Sequence, residues 1–390
     1  MQRLKPRTVG AGSFSAPCIP ALAEHYFAKL MQLFDALDRP LEPADVAAMR
    51  SAFHNCLTEG FAGSPYARFV LAYQPAESNP LALDCTMSVV SPSLEEQYQD
   101  WLQHSADSEP FGSEPDAMVV ELAKELGRAG PIRILDVGAG SGRNTLPLAR
   151  AQHTVHAIEP VPTLAKQLRE AAHTEQLEVR LFEHDILHDQ IELSAGPYQL
   201  IVLSEVSPHF SQRDFARVLP RLVGKLAPGG VLLFNAFIAR SGYSPDALAQ
   251  QTAQSVWSTF FTRTELAELT SALGLVLSRD EACLEFERAH LAEEAWPPTR
   301  WYVNWAQGRN LFSNIAGVPP IELRWLAYRQ DPSTELARPQ GEGGGATRSA
   351  SPYAAATRAD STGSMSISPA AAARCKSKTD QALASFGIVW

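Results

Sequence analysis

The chain has 390 residues, 45% of them hydrophobic and 19% charged, with a formal net charge of −10 at pH 7. That is enough apolar material for one elaborated domain or two modest ones, and the negative balance, without any Lys/Arg run, argues against a nucleic-acid surface. No apolar run reaches the length of a membrane span, and five scattered cysteines without C-x-x-C spacing (Cys18, Cys56, Cys85, Cys283, Cys375) read as free thiols of a reducing, cytoplasmic compartment, with no metal site.

Residues 1–20 carry Gly, Ser and Pro without a period and are expected to be disordered. Arg3, Lys5 and Arg7, with no acid before Glu24, suit either an organelle-targeting segment or a frayed terminus. Leu22, Phe27, Leu30, Leu33, Phe34 and Leu37 recur at helical spacing, and a second helix is expected from about Pro43 to Leu57 after the Arg39-Pro40 break. Ala67 to Tyr73 and Leu83 to Val90 read as two short strands that suit a hairpin. Glu95 to Leu102 reads as a helix bearing Tyr98 and Trp101, and Asp116 to Arg128 as a helix feeding the first strand of a sheet. Residues 21–115 are thus expected to form a mainly helical cap with no catalytic motif of its own.

From 116 to 330 strands and helices alternate. Apolar runs at Ile132 to Val137, Thr154 to Ile158, Val179 to Phe182, Tyr198 to Leu203 and Val231 to Phe234 read as buried strands. Helices are expected at Thr145 to Arg150, Leu164 to Ala172, Phe215 to Leu226 and Thr264 to Leu273, the third stopped by Pro228-Gly229-Gly230. Leu275 to Phe286 and Glu322 to Tyr328 suit a sixth and a seventh strand. The alternation predicts an α/β fold with a doubly wound, mostly parallel seven-stranded sheet. Two connections, Ala239 to Phe261 and Arg288 to Pro320, are too long for plain loops and are rich in aromatic residues. Residues 331–390 turn Gly-, Ser-, Ala- and Thr-rich and are expected to be a disordered tail, with Ile388-Val-Trp390 as either a docking peptide or a mere chain end.

One stretch organises the rest: Ile132-Arg-Ile-Leu-Asp-Val-Gly-Ala-Gly-Ser-Gly-Arg-Asn144. A buried strand runs into Gly138, Gly140 and Gly142, and a helix follows at once, which places a ligand against bare backbone at the carboxyl edge of the sheet. The dinucleotide spacing needs its third glycine where Arg143 stands, which speaks against nicotinamide binding. Glu159 ends the second strand, where an acid accepts hydrogen bonds from a ribose diol. Asp185 and Ile186 follow the third, where an acid accepts from an adenine amino group and an isoleucine packs on the purine.

This series of motifs (ILDVGAGSGRN, AIEP, HDIL, LSEVSPHF and LAPGGVLLFN) resembles the class I S-adenosylmethionine-dependent methyltransferases over residues 131–330. The GRN after the glycines is also similar to their tellurite-resistance-type branch, a fragment from which no substrate carries over. The resemblance implies S-adenosylmethionine as cofactor, an antiparallel seventh strand and the strand order 3-2-1-4-5-7-6.

Methyl transfer from a sulfonium is an in-line displacement, so positioning and exclusion of water matter more than any single catalytic group. Asp136 is expected to orient the glycine turn and reach the cofactor's ammonium, or only to brace the turn. Arg143 and Asn144 suit either the methionine carboxylate or an ordinary helix start. Ser204, Glu205 and His209 lie at and beyond the end of the fourth strand. Ser204 is expected to line the cofactor site and Glu205 to contact donor or acceptor. His209 is expected to act as general base for a hydroxyl acceptor, its alternative being a capping or packing histidine. The two long connections are expected to roof the site together with the N-terminal cap, and Tyr243, Trp257 and Trp301 from them are the expected walls of an acceptor pocket. A small-molecule acceptor is the leading expectation. A protein methyltransferase, or a cofactor-binding scaffold that has lost transfer, are the alternatives. The oligomeric state is not indicated.

Overall fold

Apolar residues at helical spacing organise the first part of the chain. In the computed structural model, which describes residues 10–37, 41–76, 83–104, 111–188, 196–330 and 375–377, two compact units are present. The first extends to Ser91 and takes in residues 375–377. Here strand β1 (Gly12–Pro17) precedes helices α1 (Ala23–Ala36) and α2 (Pro43–Gly63) and strands β2 (Arg68–Pro75) and β3 (Leu83–Val90). Phe27, Leu30 and Phe34 of α1 and Phe53, Cys56 and Leu57 of α2 are buried with Phe69, Leu71 and Met87 of the sheet in one core.

Gly12–Pro17 falls in the stretch expected to be disordered, and it is a strand instead, paired antiparallel to β2 with Phe14 opposite Leu71. Its alternation is carried by small residues, so only the waiting edge of β2 selects its conformation. Arg3, Lys5 and Arg7 lie outside the described residues. So does the tail, save Cys375–Ser377, which pairs parallel to β3.

The second unit runs from Pro92 to Thr334. In chain order it holds α3 (Leu94–His104), α4 (Ala117–Leu126), β4 (Arg133–Val137), α5 (Thr145–Arg150), β5 (Thr154–Ile158), α6 (Pro162–Thr174), β6 (Val179–Phe182) and β7 (Tyr198–Leu203). There follow α7 (Gln212–Val223), β8 (Leu226–Ala239), α8 (Ala247–Ser255), β9 (Phe260–Phe261), α9 (Arg263–Ser271), β10 (Leu275–Ala282), α10 (Cys283–His290), α11 (Tyr302–Ala306) and β11 (Ile321–Gln330). The cap expected over 21–115 is therefore divided: α3, with its aromatics, belongs to the sheet unit.

The strands lie in the order β6-β5-β4-β7-β8-β11-β10, which is 3-2-1-4-5-7-6 in the numbering used for the expected strands. The strand β11 is antiparallel to both neighbours. The central strands bury both faces by strict alternation. Leu200 and Val202 of β7 and Val231 and Leu233 of β8 pack with Met118 and Leu122 of α4 and Trp305 of α11. Ile201, Leu203, Leu232 and Phe234 pack with Phe215, Val218 and Leu222 of α7. Each fully buried side chain of this kind contributes roughly 2 kcal/mol.

Two details differ from expectation. The segment expected as one strand to Phe286 breaks at Cys283 into helix α10. The strand β8 is longer than its apolar run and outlasts β7, whose Leu203 faces Phe234. Its free upper edge at Phe237 and Ile238 pairs with Phe260 and Phe261 of β9. That pairing returns the first long connection to the carboxyl edge, where the Thr259 N–H donates to the Pro208 carbonyl at 3.2 Å.

Candidate active site

After β4 the chain builds β5 and β6 on one side and then crosses to β7 on the other, so β4 and β7 flank the point where the winding reverses. A crevice at the carboxyl ends of such a pair is the usual ligand site of an open α/β sheet. The glycine turn leaves β4 here. Gly138, Gly140 and Gly142 all have positive φ, at +73°, +58° and +105°. A Cβ on Gly138 would strike Val206, and one on Gly142 would meet Leu168 Cδ1 at 2.6 Å and Leu146 Cγ at 2.9 Å. Those two glycines serve close packing. A Cβ on Gly140 meets nothing within 4 Å, so this position faces open space.

The acids at the strand ends are engaged by the turn itself. Glu159, only 4% exposed, accepts from the Gly140 N–H at 2.7 Å and from the Val161 N–H at 2.8 Å. Burial nonetheless pushes its carboxyl up to about 7, against the pull of those two amides. Asp136 accepts from the Thr145 hydroxyl at 2.6 Å, and burial raises it to about 6. Asp185 turns back onto the Leu187 N–H at 2.9 Å. Ile186 beside it is buried, and Arg221 of α7 donates to the Ile186 and His188 carbonyls, which pins this loop.

Sequence reasoning missed the hub of the site, Asp116. It is the residue before α4, 28 positions ahead of Asn144 and 88 ahead of Ser204. Its carboxylate accepts from Arg143 Nη1 at 2.7 Å, Asn144 Nδ2 at 2.8 Å and Ser204 Oγ at 2.5 Å. Its own N–H donates to Asn144 Oδ1 at 2.9 Å. The Asn144 amide is thus turned to Asp116, the residue before α4. In the sequence Asp116 only opens the helix expected to Arg128.

Arg143 also pairs with Glu205 at 2.9 Å, with the two side chains 10% and 15% exposed. Burial works against the guanidinium charge, and Asp116 and Glu205 override it. Glu205 is pushed up to about 6 by burial while Arg143 pulls the other way. Its φ is +58°, in the left-handed region, which costs a non-glycine residue about 1–2 kcal/mol. Asn235 Oδ1 holds it there by accepting the Glu205 N–H at 2.7 Å. Behind this cluster Glu287 of α10 accepts from the Ala117 N–H at 2.7 Å and the Trp325 indole at 2.8 Å, which closes the N-terminus of α4.

Tyr98 of α3, His209 after β7 and Trp257 before β9 form a group of near-parallel rings, with centroids 5.3–6.2 Å apart and planes within 16–26°. Burial pulls His209 down to about 4, so it is neutral at physiological pH. Trp257 also has positive φ, at +53°, and its carbonyl accepts from the Trp305 indole at 3.3 Å. Trp301 meets Trp101 of α3 edge-on at 6.2 Å. Tyr243 packs instead against Phe260 and Phe312. The three residues expected as one acceptor wall therefore have different neighbours, and α3, from the expected cap, adds Tyr98 and Trp101 to them.

The residues at the crevice fit S-adenosylmethionine. Gly140 leaves its side open, and the two buried carboxylates of Asp116 and Glu205 share the one guanidinium of Arg143, which suits a ligand carrying positive charge. Among the described residues no cluster of His, Cys, Asp or Glu suits a metal ion, and no helix is long and apolar enough to cross a membrane.

Residues 134–230 match the model of a methyltransferase domain family. The chain is 29% identical over 157 residues to a ubiquinone biosynthesis O-methyltransferase of Methylobacterium sp. (strain 4-46), across 38% of this chain and 61% of that protein. It is 36% identical over 126 residues to protein-L-isoaspartate O-methyltransferase 1 of Anaeromyxobacter sp. (strain Fw109-5), across 32% of this chain and 51% of that one. The chain thus spans between about half and three-fifths of the length of these relatives. Among solved structures, an O-methyltransferase of a trans-AT polyketide synthase of Brevibacillus brevis, in complex with S-adenosyl-L-homocysteine, aligns with a TM-score of 0.42 at 19% identity, covering 56% of this chain and 73% of that one. The chain therefore carries a methyltransferase domain with the fold of the class I S-adenosylmethionine-dependent family.

Proposed function

We propose that the chain moves a methyl group from S-adenosylmethionine to an oxygen of a small molecule held under the aromatic residues at the carboxyl edge. The observation that carries this reading is the open side of Gly140, flanked by Glu159 and backed by acids that share Arg143. The relatives described above are named for transfer to oxygen, which favours that acceptor atom.

Bound in the crevice, S-adenosylmethionine supplies a methyl already activated by its positive sulfur. The chain's own residues then have to bind, orient and keep water out. Glu159 keeps lone pairs for a ribose diol beyond those given to Gly140 and Val161. Asp185 and Ile186 receive the adenine. Asp136 holds Thr145, and with it the start of α5, against the glycine turn. Ser204 and Glu205 line the β7 side. His209, just beyond β7, is the residue assigned the hydroxyl proton of the acceptor, and burial, which pulls it down to about 4, makes it a weak base at rest. Tyr243, Trp257 and Trp301 supply apolar walls.

Calorimetric titration with S-adenosylmethionine and S-adenosylhomocysteine, with NAD as control, tests the cofactor. Binding of both sulfur ligands is expected. Binding of NAD alone, or of none, overturns the reading. Label from methyl-labelled S-adenosylmethionine appearing in protein would replace the acceptor class, and binding without turnover over a panel of hydroxylated small molecules and proteins would leave a cofactor-binding scaffold.

A further inference from the structure

The charges at the β4–β7 crevice do not balance. Asp116 and Glu205 both pair with one guanidinium, that of Arg143, at 2.7 and 2.9 Å. Asp136 and Glu159 beside them are satisfied by a hydroxyl and by backbone amides, which bring no positive charge. One carboxylate more than the guanidinium of Arg143 balances thus sits at the crevice, in a setting poorly screened by water. Glu205 is held in place at a cost. Its backbone is left-handed, and Asn235 fixes its amide at 2.7 Å. A glycine would relieve the backbone, and a glutamine would keep a hydrogen bond to Arg143. Neither would keep the charge.

The donor and the product of methyl transfer differ at one atom in just this property. When the methyl passes to the acceptor oxygen, the sulfur keeps the electron pair of the broken S–C bond. The sulfonium becomes a neutral thioether, and the acceptor's proton leaves to a base or to water. The ammonium, carboxylate, ribose and adenine are unchanged.

Resting on the cofactor reading above, we propose that the Asp116–Arg143–Glu205 triad is a charge filter. Its surplus carboxylate favours the positively charged donor over the neutral thioether product, so that transfer itself loosens the spent cofactor. Glu205 is the specificity-determining residue, and Asp116 and Arg143 position it.

The test is a set of calorimetric titrations of the full chain with S-adenosylmethionine, S-adenosylhomocysteine and sinefungin, whose amine restores a positive charge where the thioether has none. Wild type is compared with Glu205→Gln and Glu205→Asn, the second because asparagine tolerates the left-handed region. In both variants the donor-to-product affinity ratio is expected to fall about tenfold, the effect of one charge in a partly buried site. Sinefungin is expected to follow the donor, and product affinity to stay within about twofold, which also reports an intact fold. An unchanged ratio with all three ligands bound overturns the charge filter and leaves the cofactor reading standing. Equal loss of every ligand in both variants overturns it too, by making Glu205 a structural residue. Failure of the wild type to bind either sulfur ligand brings down the cofactor reading itself, and the filter with it.

Discussion

The amide of Gly140 donates to the carboxylate of Glu159 at 2.7 Å, across 19 residues of sequence. The glycine turn after one strand and the acid ending the next are therefore one unit. A ligand that takes its ribose from Glu159 lies against the bare face of Gly140.

Glu159→Gln and Glu159→Ala test that unit. The alanine variant strands two amides, at about 1–3 kcal/mol each where they stay dry, and cofactor affinity is expected to fall at least about tenfold. In the wild type, S-adenosylhomocysteine affinity is expected to rise from pH 6 to pH 8. Glu159 ionises at about 7, and an anion accepts from a diol better than a neutral acid does. Titrations at several pH values check this, and a profile unaltered in Glu159→Gln would assign the dependence elsewhere.

Gly140→Ala and Gly142→Ala separate binding from packing. The added methyl at 140 enters open space and costs about 1–2 kcal/mol for its backbone alone, yet it occupies the ligand's side and is expected to weaken cofactor binding at least about tenfold. At 142 it strikes Leu168 and Leu146, and overpacking of this kind adds about 1–3 kcal/mol to the backbone cost. Melting temperature and affinity, measured together, are expected to move in opposite proportions in the two variants.

Glu287 gives a pH test of stability. It accepts from Ala117, Met118 and Trp325, and burial raises it to about 7. A raised acid binds its proton more tightly in the folded chain, so its contribution is complete below the unfolded value and is lost as pH rises through about 7. Glutamine imitates the protonated form. Relative to wild type, Glu287→Gln is expected to gain about 1 kcal/mol between pH 6 and pH 8, read by denaturant unfolding. His153, His156 and His209 are shifted the other way, so the difference between variant and wild type isolates Glu287 where the raw profile does not. A constant difference across that range would refute the assignment.

His209→Phe asks whether the ring acts or only packs. Phenylalanine keeps an aromatic partner for Tyr98 and Trp257, so melting temperature and cofactor affinity are expected to hold. Methyl transfer to a hydroxyl acceptor is expected to drop about 10²-fold or more, the usual share of a general base. Single-turnover rates decide it, and full activity in the variant would leave His209 a packing residue.

The sequence by itself determined the sheet and its edge. Apolar runs of strand length, glycines at alternate positions and an acid at each strand end are local signals, because burial period and backbone freedom belong to a few consecutive residues. The strand order came with the family resemblance and is the order found. Only the tertiary structure decided how the charges meet. Nothing near Asp116 marks it as the partner of Arg143, Asn144 and Ser204, since that pairing arises from the need to satisfy buried polar groups brought together from distant segments. Long-range partners likewise hid the left-handed Glu205 held by Asn235, and strand β1, which extends because β2 offers an unpaired edge. Strand-forming periodicity is written in neighbours, whereas desolvated pairs are written in the fold.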